Sequence, residues 1–360
     1  MKHQFLDFAQ QTKAKISAHI ASILHENQPM FSNITSTGKW LASEMEDFAE
    51  SGKMLRGSLA ILGAQLLGVQ DQHHYSISLA AGLELLQAGL LIHDDIMDHD
   101  EKRRGKPTFH IRIRNKIQQT DTGFSAHLAS QLAEAQSICA GDLFFFLGWQ
   151  ELAYLPQRVS FAVAQEHAKV TLAQMQDVAF GYARGFPDIS SVIEMYRHKT
   201  ARYTVALPLM AGALLLDNCT SEVLKSLETI GESLGIVFQL QDDRLGIFGD
   251  EAAIGKPIGS DLKEGKKTPY ILALAPQLSE SEMKRFNSMF RAQAMDPNDL
   301  EWVRFLIISK GVDAKIQSLI NNQIELARKA LADLWHFEGI SKENILLLGD
   351  FIDYSLSRER

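Results

Sequence analysis

Cysteine and proline are both scarce in this chain, with 2 and 9 copies among 360 residues. Two cysteines, Cys139 and Cys219, cannot build a disulfide framework and stand at no metal-ligand spacing. That fits a reduced cytoplasm and makes both expected core residues. So little proline favours helices, which tolerate it worse than loops or edge strands do. Basic charge is also short: 36 Lys and Arg against 44 Asp and Glu leave a net charge of −8. Nucleic acid is thereby excluded as a partner, since phosphate backbones are held by clustered bases. An anionic substrate must find local positive charge instead. Long apolar runs are missing too. The N-terminal MKHQFLDFAQQTKAK has no signal core, and the richest stretches, 77–92 and 204–216, are too short or carry Glu84 and Gln87. No transmembrane segment is expected.

What is present is enough apolar side chain, 46% of the residues, for a large core. It recurs at helical spacing in nearly every long segment. Leu227, Ile230, Leu234 and Val237 follow the three-then-four rhythm that lines one helix face. Start signals agree: Ser191 with Glu194 and Ser279 with Glu282 match the capping box, and Asp296 before Pro297 offers an N-cap with proline in the first turn. Turn residues cluster at 26–39, 103–123, 183–188, 248–267 and 294–299, which leaves about ten or more helices. TFHIRIR, at 108–114, alternates like a strand, but one short candidate cannot make a sheet and is taken as loop. No fixed repeat or low-complexity linker divides the chain. The expected fold is all-α: a single domain, residues 1–360, built as a helix bundle.

Chemistry-bearing residues collect at two places. In LIHDDIMDHDEKRRG, residues 91–105, Asp94 and Asp98 share a helix stripe with Gln87, and Asp95 lies at its edge. Far along the chain, FQLQDDRLGIFGD repeats the design: Gln239, Asp242, Asp243 and Gly246 form a stripe that runs from apolar residues into carboxylates. A solvated charge run is the ordinary explanation of either one. Two together are harder to dismiss, because a carboxylate pair 4 Å apart repels by about 4 kcal/mol at an effective dielectric near 20. A hard divalent cation compensates, and Mg2+ binds through one or two carboxylates together with substrate phosphates. His93 and His99 flank the first cluster, but an oxygen-rich set suits Mg2+ better than a transition metal, so both are read as structural or solvent-facing. Bases suited to phosphate lie nearby in the sequence: Lys53 and Arg56, Arg103 and Arg104, Lys199, and Lys256 and Lys266 around a glycine-rich loop.

In this order, DDxxD, RRGxPT, GD, QxxD, KT, FQxxDD, GK and DLxEGKxT over roughly residues 50 to 270, the chain resembles the trans-isoprenyl diphosphate synthases, or polyprenyl synthetases. The resemblance implies the isoprenoid synthase fold, with the helices around a central cavity, and a Mg2+-dependent prenyltransferase. Such an enzyme condenses isopentenyl diphosphate head-to-tail with an allylic diphosphate to give an all-trans prenyl diphosphate. It implies three Mg2+ ions with substrate bound, two held by Asp94 and Asp98 with Asp95 in support and the third by Asp242 and Asp243. By the same resemblance, Arg103, Lys199 and Lys256, with Lys266 nearby, grip the allylic diphosphate, while Lys53, Arg56, Gln87 and Arg104 hold isopentenyl diphosphate. Thr200 and Gln239 place oxygens beside the cationic centre, and Gln174 and Asp177 line the cavity. A cytoplasmic homodimer is implied as well. Gly246, where many relatives carry a third aspartate, departs from the pattern and implies altered rather than abolished turnover.

Chain length should be set one turn before Asp94, at Gly89 and Leu90. Neither is aromatic, so Gly89 is expected to leave room for a long tail, while Phe144, Phe145, Phe146 and Trp149 could supply a floor. A twenty-carbon product is favoured, with farnesyl and longer products as alternatives. Two further readings remain: a class I terpene cyclase, which needs no second diphosphate site, and a non-catalytic subunit of a heteromeric synthase, which would normally lose an acidic motif.

Overall fold

The computed structural model describes residues 3–69, 74–120, 123–183, 185–249, 259, 262, 264–290 and 296–356. They fall into two compact units. The first comprises Met1–Ala162, Pro208–Thr220 and Gly339–Leu347, and the second comprises Val163–Leu207, Ser221–Glu338 and Leu348–Arg360. The fold is all-α, as expected, with a single two-stranded hairpin among the described residues.

In the first unit, α1 (Gln4–Ile34), α2 (Gly38–Glu50), α3 (Leu55–Leu66), α4 (His74–Met97), α5 (Phe109–Thr120) and α6 (Ala126–Leu152) surround one apolar core that includes Ile16, Ile20, Met45, Leu85, Phe109 and Phe144. By length and composition α4 could cross a membrane, yet 72% of its most apolar window is buried inside the protein, as in a core helix. α4 packs on α6 through glycines. A Cβ on Gly89 would stand 2.7 Å from the Gly141 carbonyl oxygen, and one on Gly82 would stand 3.2 Å from that of Gly148. Only bare backbone allows helices this close.

In the second unit, α10 (Ser221–Phe248) is the central element. Leu227, Ile230, Leu234 and Val237 are all fully buried, as their spacing predicts. Around it run most of α7 (Gln157–Tyr182), α8 (Ile189–Tyr196), α11 (Pro269–Leu274), α12 (Glu280–Met289), α13 (Pro297–Ser309) and α14 (Val312–Leu334). The short α9 (Leu207–Ala213) and the final α15 (Lys342–Leu356) complete the chain.

Several expectations need correction. TFHIRIR is neither strand nor loop: Phe109–Thr120 is helical, with Phe109, His110, Ile111 and Ile113 buried, because packing against α6 outweighs β-branched propensity. α1 continues through Pro29 to Ile34, deep into the stretch expected to break at 26. Ser191 caps nothing, since α8 starts two residues earlier behind Asp188. The other two caps form: Ser279 and Glu282 make a reciprocal capping box, and Asp296 accepts from the Asn298 amide at 2.8 Å. Cys139 is exposed and Cys219 half-buried, so neither is a core residue.

Candidate active site

The C-terminal end of α4 carries Asp94 and Asp95, and Asp98 follows in the turn just past it. Consecutive residues on a helix point about 100° apart, and the pair splits accordingly. Asp94 and Asp98 remain partly open to solvent, whereas Asp95 is turned inward and is 0% exposed. Arg103 holds it there. Its Nε donates to Asp95 Oδ1 at 2.7 Å, a second guanidinium nitrogen lies 2.6 Å from the same oxygen, and Asp94 Oδ2 stands 3.7 Å away. Burial pushes the Asp95 carboxyl up to about 6 against the opposing pull of Arg103. Asp95, expected in support of the metal ligands, anchors Arg103 through Oδ1, while its Oδ2 has no hydrogen-bond partner.

What brings Arg103 back onto α4 is the hairpin of Lys102–Arg103 and Lys106–Pro107. Arg104 and Gly105, between its strands, both have positive φ, 53° and 75°, the backbone of a tight turn whose twist matches that of the paired strands. Buried Thr108 closes the loop by donating its hydroxyl to the Asp100 carbonyl at 2.8 Å. The RRGxPT string is thus a device for aiming Arg103.

On the same unit, Lys53 is exposed and Arg56 partly so, at the start of α3. Gln87 is buried two turns before Asp94, and its Oε1 has no hydrogen-bond partner. Arg104 reaches Ser51 Oγ at 3.4 Å. Gly89 corrects an expectation. A Cβ there would meet Phe145 Cε1 at 2.6 Å as well as the Gly141 carbonyl, so the room expected over Gly89 is already filled. The three consecutive phenylalanines go three ways: Phe144 is buried near Phe48, Phe145 covers Gly89 and stacks edge-on against His93, and Phe146 is 66% exposed. His93 is structural, with Nε2 3.1 Å from the Ile138 carbonyl oxygen. Leu90 is half-buried.

The second unit repeats the split. On α10, Asp242 is exposed while Asp243 is 3% exposed. Tyr196 donates its hydroxyl to Asp243 Oδ2 at 2.9 Å, Gln239 Nε2 donates to Oδ1 at 3.3 Å, and Thr200 donates to Gln239 Oε1 at 3.2 Å. Asp243, also expected as a ligand, is here the anchor of a polar chain. Lys199 pairs with Asp177 of α7. Lys199 and Thr200 lie in a π-helical stretch, Arg197–Ala206, a widened turn often found at functional sites. Gly231 and Gly235 of α10 admit it: an added Cβ would collide with Ala206 and Ala201. Gly235 is one turn before Gln239, so this contact sets Thr200 against it. Arg202 clamps the same stretch to α7, meeting Glu166 through Nε at 2.8 Å and a terminal nitrogen at 2.9 Å, and reaches Glu228 and Glu232 on α10.

Tyr196, Arg202 and the two glycines were not singled out from sequence. Their signals were small: a tyrosine three residues before Lys199, and glycines one and two turns before Gln239. Gln174 is half-buried on α7. Lys266 pairs with Glu264 at 3.0 Å, and neighbouring Lys267 donates to the Phe180 and Ala183 carbonyls. Lys256 lies outside the described residues.

Among the described residues no three His, Cys, Asp or Glu side chains form a ready metal cage. The donors fit Mg2+ nonetheless, which keeps several waters and needs only one or two carboxylates beside substrate phosphate. Asp94 and Asp98, one turn apart and partly open to water, are such a pair, and Asp242 is a third, exposed carboxylate.

The polyprenyl synthetase model matches residues 38–306. The chain is 31% identical over 240 residues to a short chain isoprenyl diphosphate synthase of Methanocaldococcus jannaschii, an alignment covering 65% of each chain and so a little under two thirds of that relative's length. It is 31% identical over 302 residues to a geranylfarnesyl diphosphate synthase of Aeropyrum pernix, covering 84% of this chain and 89% of that one. A solved geranylgeranyl pyrophosphate synthase from Corynebacterium glutamicum, complexed with isoprenyl diphosphate and magnesium, is similar with a TM-score of 0.85 and 25% identity over 98% of this chain and 99% of that one. The chain belongs to the polyprenyl synthetase family, a family of trans-prenyltransferases.

Proposed function

We propose that this chain, as one polyprenyl synthetase domain over residues 1–360, condenses isopentenyl diphosphate with an allylic diphosphate and releases geranylgeranyl diphosphate. The observation that carries the reading is the twice-repeated carboxylate split. Each DD pair has one oxygen donor open to solvent, Asp94 and Asp242, and one buried partner, Asp95 and Asp243, that fixes a neighbouring polar group.

In this reading Asp94, Asp98 and Asp242 would hold three Mg2+ ions for the allylic diphosphate, and Arg103, Lys199, Lys256 and Lys266 would supply further positive charge. When bound, magnesium neutralises the negative charge that grows on the leaving group. Arg103 and Lys199, positioned by Asp95 and Asp177, act on the same charge and need no reorganisation as the allylic carbon–oxygen bond breaks with its electron pair leaving on diphosphate. Thr200 and Gln239 present oxygens to the allylic cation. Lys53, Arg56, Gln87 and Arg104 hold isopentenyl diphosphate so that its double bond attacks that cation, and the proton then lost goes to the released diphosphate. No protein base is required.

Product length rests on two supports: relatives named for twenty- and twenty-five-carbon products, and Phe145 standing over Gly89. A homodimer is supported by α7. Ala168, Leu172, Met175, Ala179 and Tyr182 recur at three-four spacing with Leu172 and Met175 each 65% and Tyr182 80% exposed, a stripe that a second copy would cover. The scarcity of cysteine fits a cytoplasmic enzyme. A class I cyclase has no use for Lys53, Arg56 and Arg104, and a non-catalytic subunit would not be expected to keep both acidic ends. Incubation of the purified chain with Mg2+, isopentenyl diphosphate and farnesyl diphosphate, followed by product chromatography, should yield the twenty-carbon diphosphate. Cyclised hydrocarbon, or turnover only with an added partner chain, would refute the reading.

A further inference from the structure

We infer that Glu84 is a positioning residue for the isopentenyl diphosphate site, a carboxylate that holds the start of α3 in place and sets Arg56 and Arg104 for a diphosphate they would otherwise be repelled from sharing. The inference rests on the assignment of Lys53, Arg56, Gln87 and Arg104 to that substrate. Glu84 lies on α4, three residues before Gln87 and so on the same face. Its Oε1 accepts the Gly57 amide at 2.8 Å, and the Arg56 amide is a second donor to the carboxylate.

These are among the first amides of α3, which lack partners within the helix. The residue at the cap position cannot serve them. Met54 has left-handed backbone, φ 50° and ψ 42°, and its side chain makes no cap hydrogen bond. Glu84 therefore caps α3 from another helix.

Charge gives it a second task. Arg56 and Arg104, from separate elements, are the two cations whose fields act on Glu84, and each opposes the other's approach. A carboxylate that attracts both offsets that repulsion before substrate arrives. Burial raises the Glu84 carboxyl above its usual range, and the two arginines pull it back down. Nothing in the sequence flags it, since a lone glutamate in an apolar helix resembles an accidental polar residue.

Two variants separate the tasks. Glu84→Gln keeps an oxygen for the Gly57 amide and removes the charge. It should raise KM for isopentenyl diphosphate about tenfold, as for one lost charge-assisted contact, and leave kcat and KM for farnesyl diphosphate within about twofold. Glu84→Asp keeps the charge but falls short of α3, and should lower Tm while raising isopentenyl KM no more than about threefold, less than the glutamine variant does. If Gln shifts all the kinetic constants together, or Asp raises isopentenyl KM as much as Gln does, Glu84 is only a structural cap. Lys53→Ala serves as the reference. If it does not raise isopentenyl KM, the site assignment itself fails; if it does and Glu84→Gln does not, this inference alone fails.

Discussion

Gly89→Ala tests the crossing that sets the first acidic end. Alanine should gain about 1 kcal/mol from helix propensity. Against that, the new methyl would lie 2.6 and 2.8 Å from the Phe145 ring and 2.7 Å from the Gly141 carbonyl oxygen, where comfortable contacts begin near 3.5 Å. The carbonyl belongs to backbone and cannot swing aside, so one extra methyl in a packed interior costs about 1–3 kcal/mol. The steric cost wins, and the variant should be about 1 kcal/mol less stable by urea denaturation. A cycle with Phe145→Ala apportions the cost. Without the ring, Gly89→Ala should be milder by about 0.5–1 kcal/mol but still harmful, because the carbonyl remains. A stabilising Gly89→Ala, or strict additivity with Phe145→Ala, would refute the close crossing.

Other consequences can be checked independently. Phe145→Ala should shift the product distribution beyond twenty carbons, and an unchanged distribution would remove Phe145 from the tail's path. Arg202→Met leaves the mostly buried Glu166 without its bidentate partner and should cost about 3 kcal/mol, with activity falling as the π-helical stretch loosens. Thermal melting and kcat measured together would show a purely surface role if neither moved. His19 Nε2 lies 2.8 Å from Glu151 Oε2, a contact that raises the His19 pKa. A raised histidine contributes fully below about 6.5 and its contribution fades as pH rises through the folded value. His19→Gln should therefore cost up to about 1 kcal/mol at pH 6 and almost nothing at pH 9, and an equal loss at both would reject the ion pair.

The helical class and the aspartate stripes were legible because each is a pattern of spacing, and the backbone enforces spacing locally. Which aspartate of each pair faces water was not, since that is decided by partners such as Arg103 and Tyr196 that arrive from other elements. Gly89 was misread for the same reason: an empty side chain in sequence says nothing of Phe145, more than fifty residues on, that fills the space. TFHIRIR shows the converse, a local preference overruled by packing on α6. Glu84 stayed hidden because its meaning lies in α3, a different helix.

The central claim is that open carboxylates from both acidic ends take up one allylic diphosphate through magnesium. Calorimetric titration of the chain with an unreactive farnesyl diphosphate analogue, with Mg2+ and with EDTA, in the wild type and in Asp94→Asn and Asp242→Asn, tests it most directly. Uptake should require Mg2+ and weaken at least tenfold in each variant, since each loses a charged metal contact. Metal-independent uptake, or wild-type affinity in either variant, would contradict it.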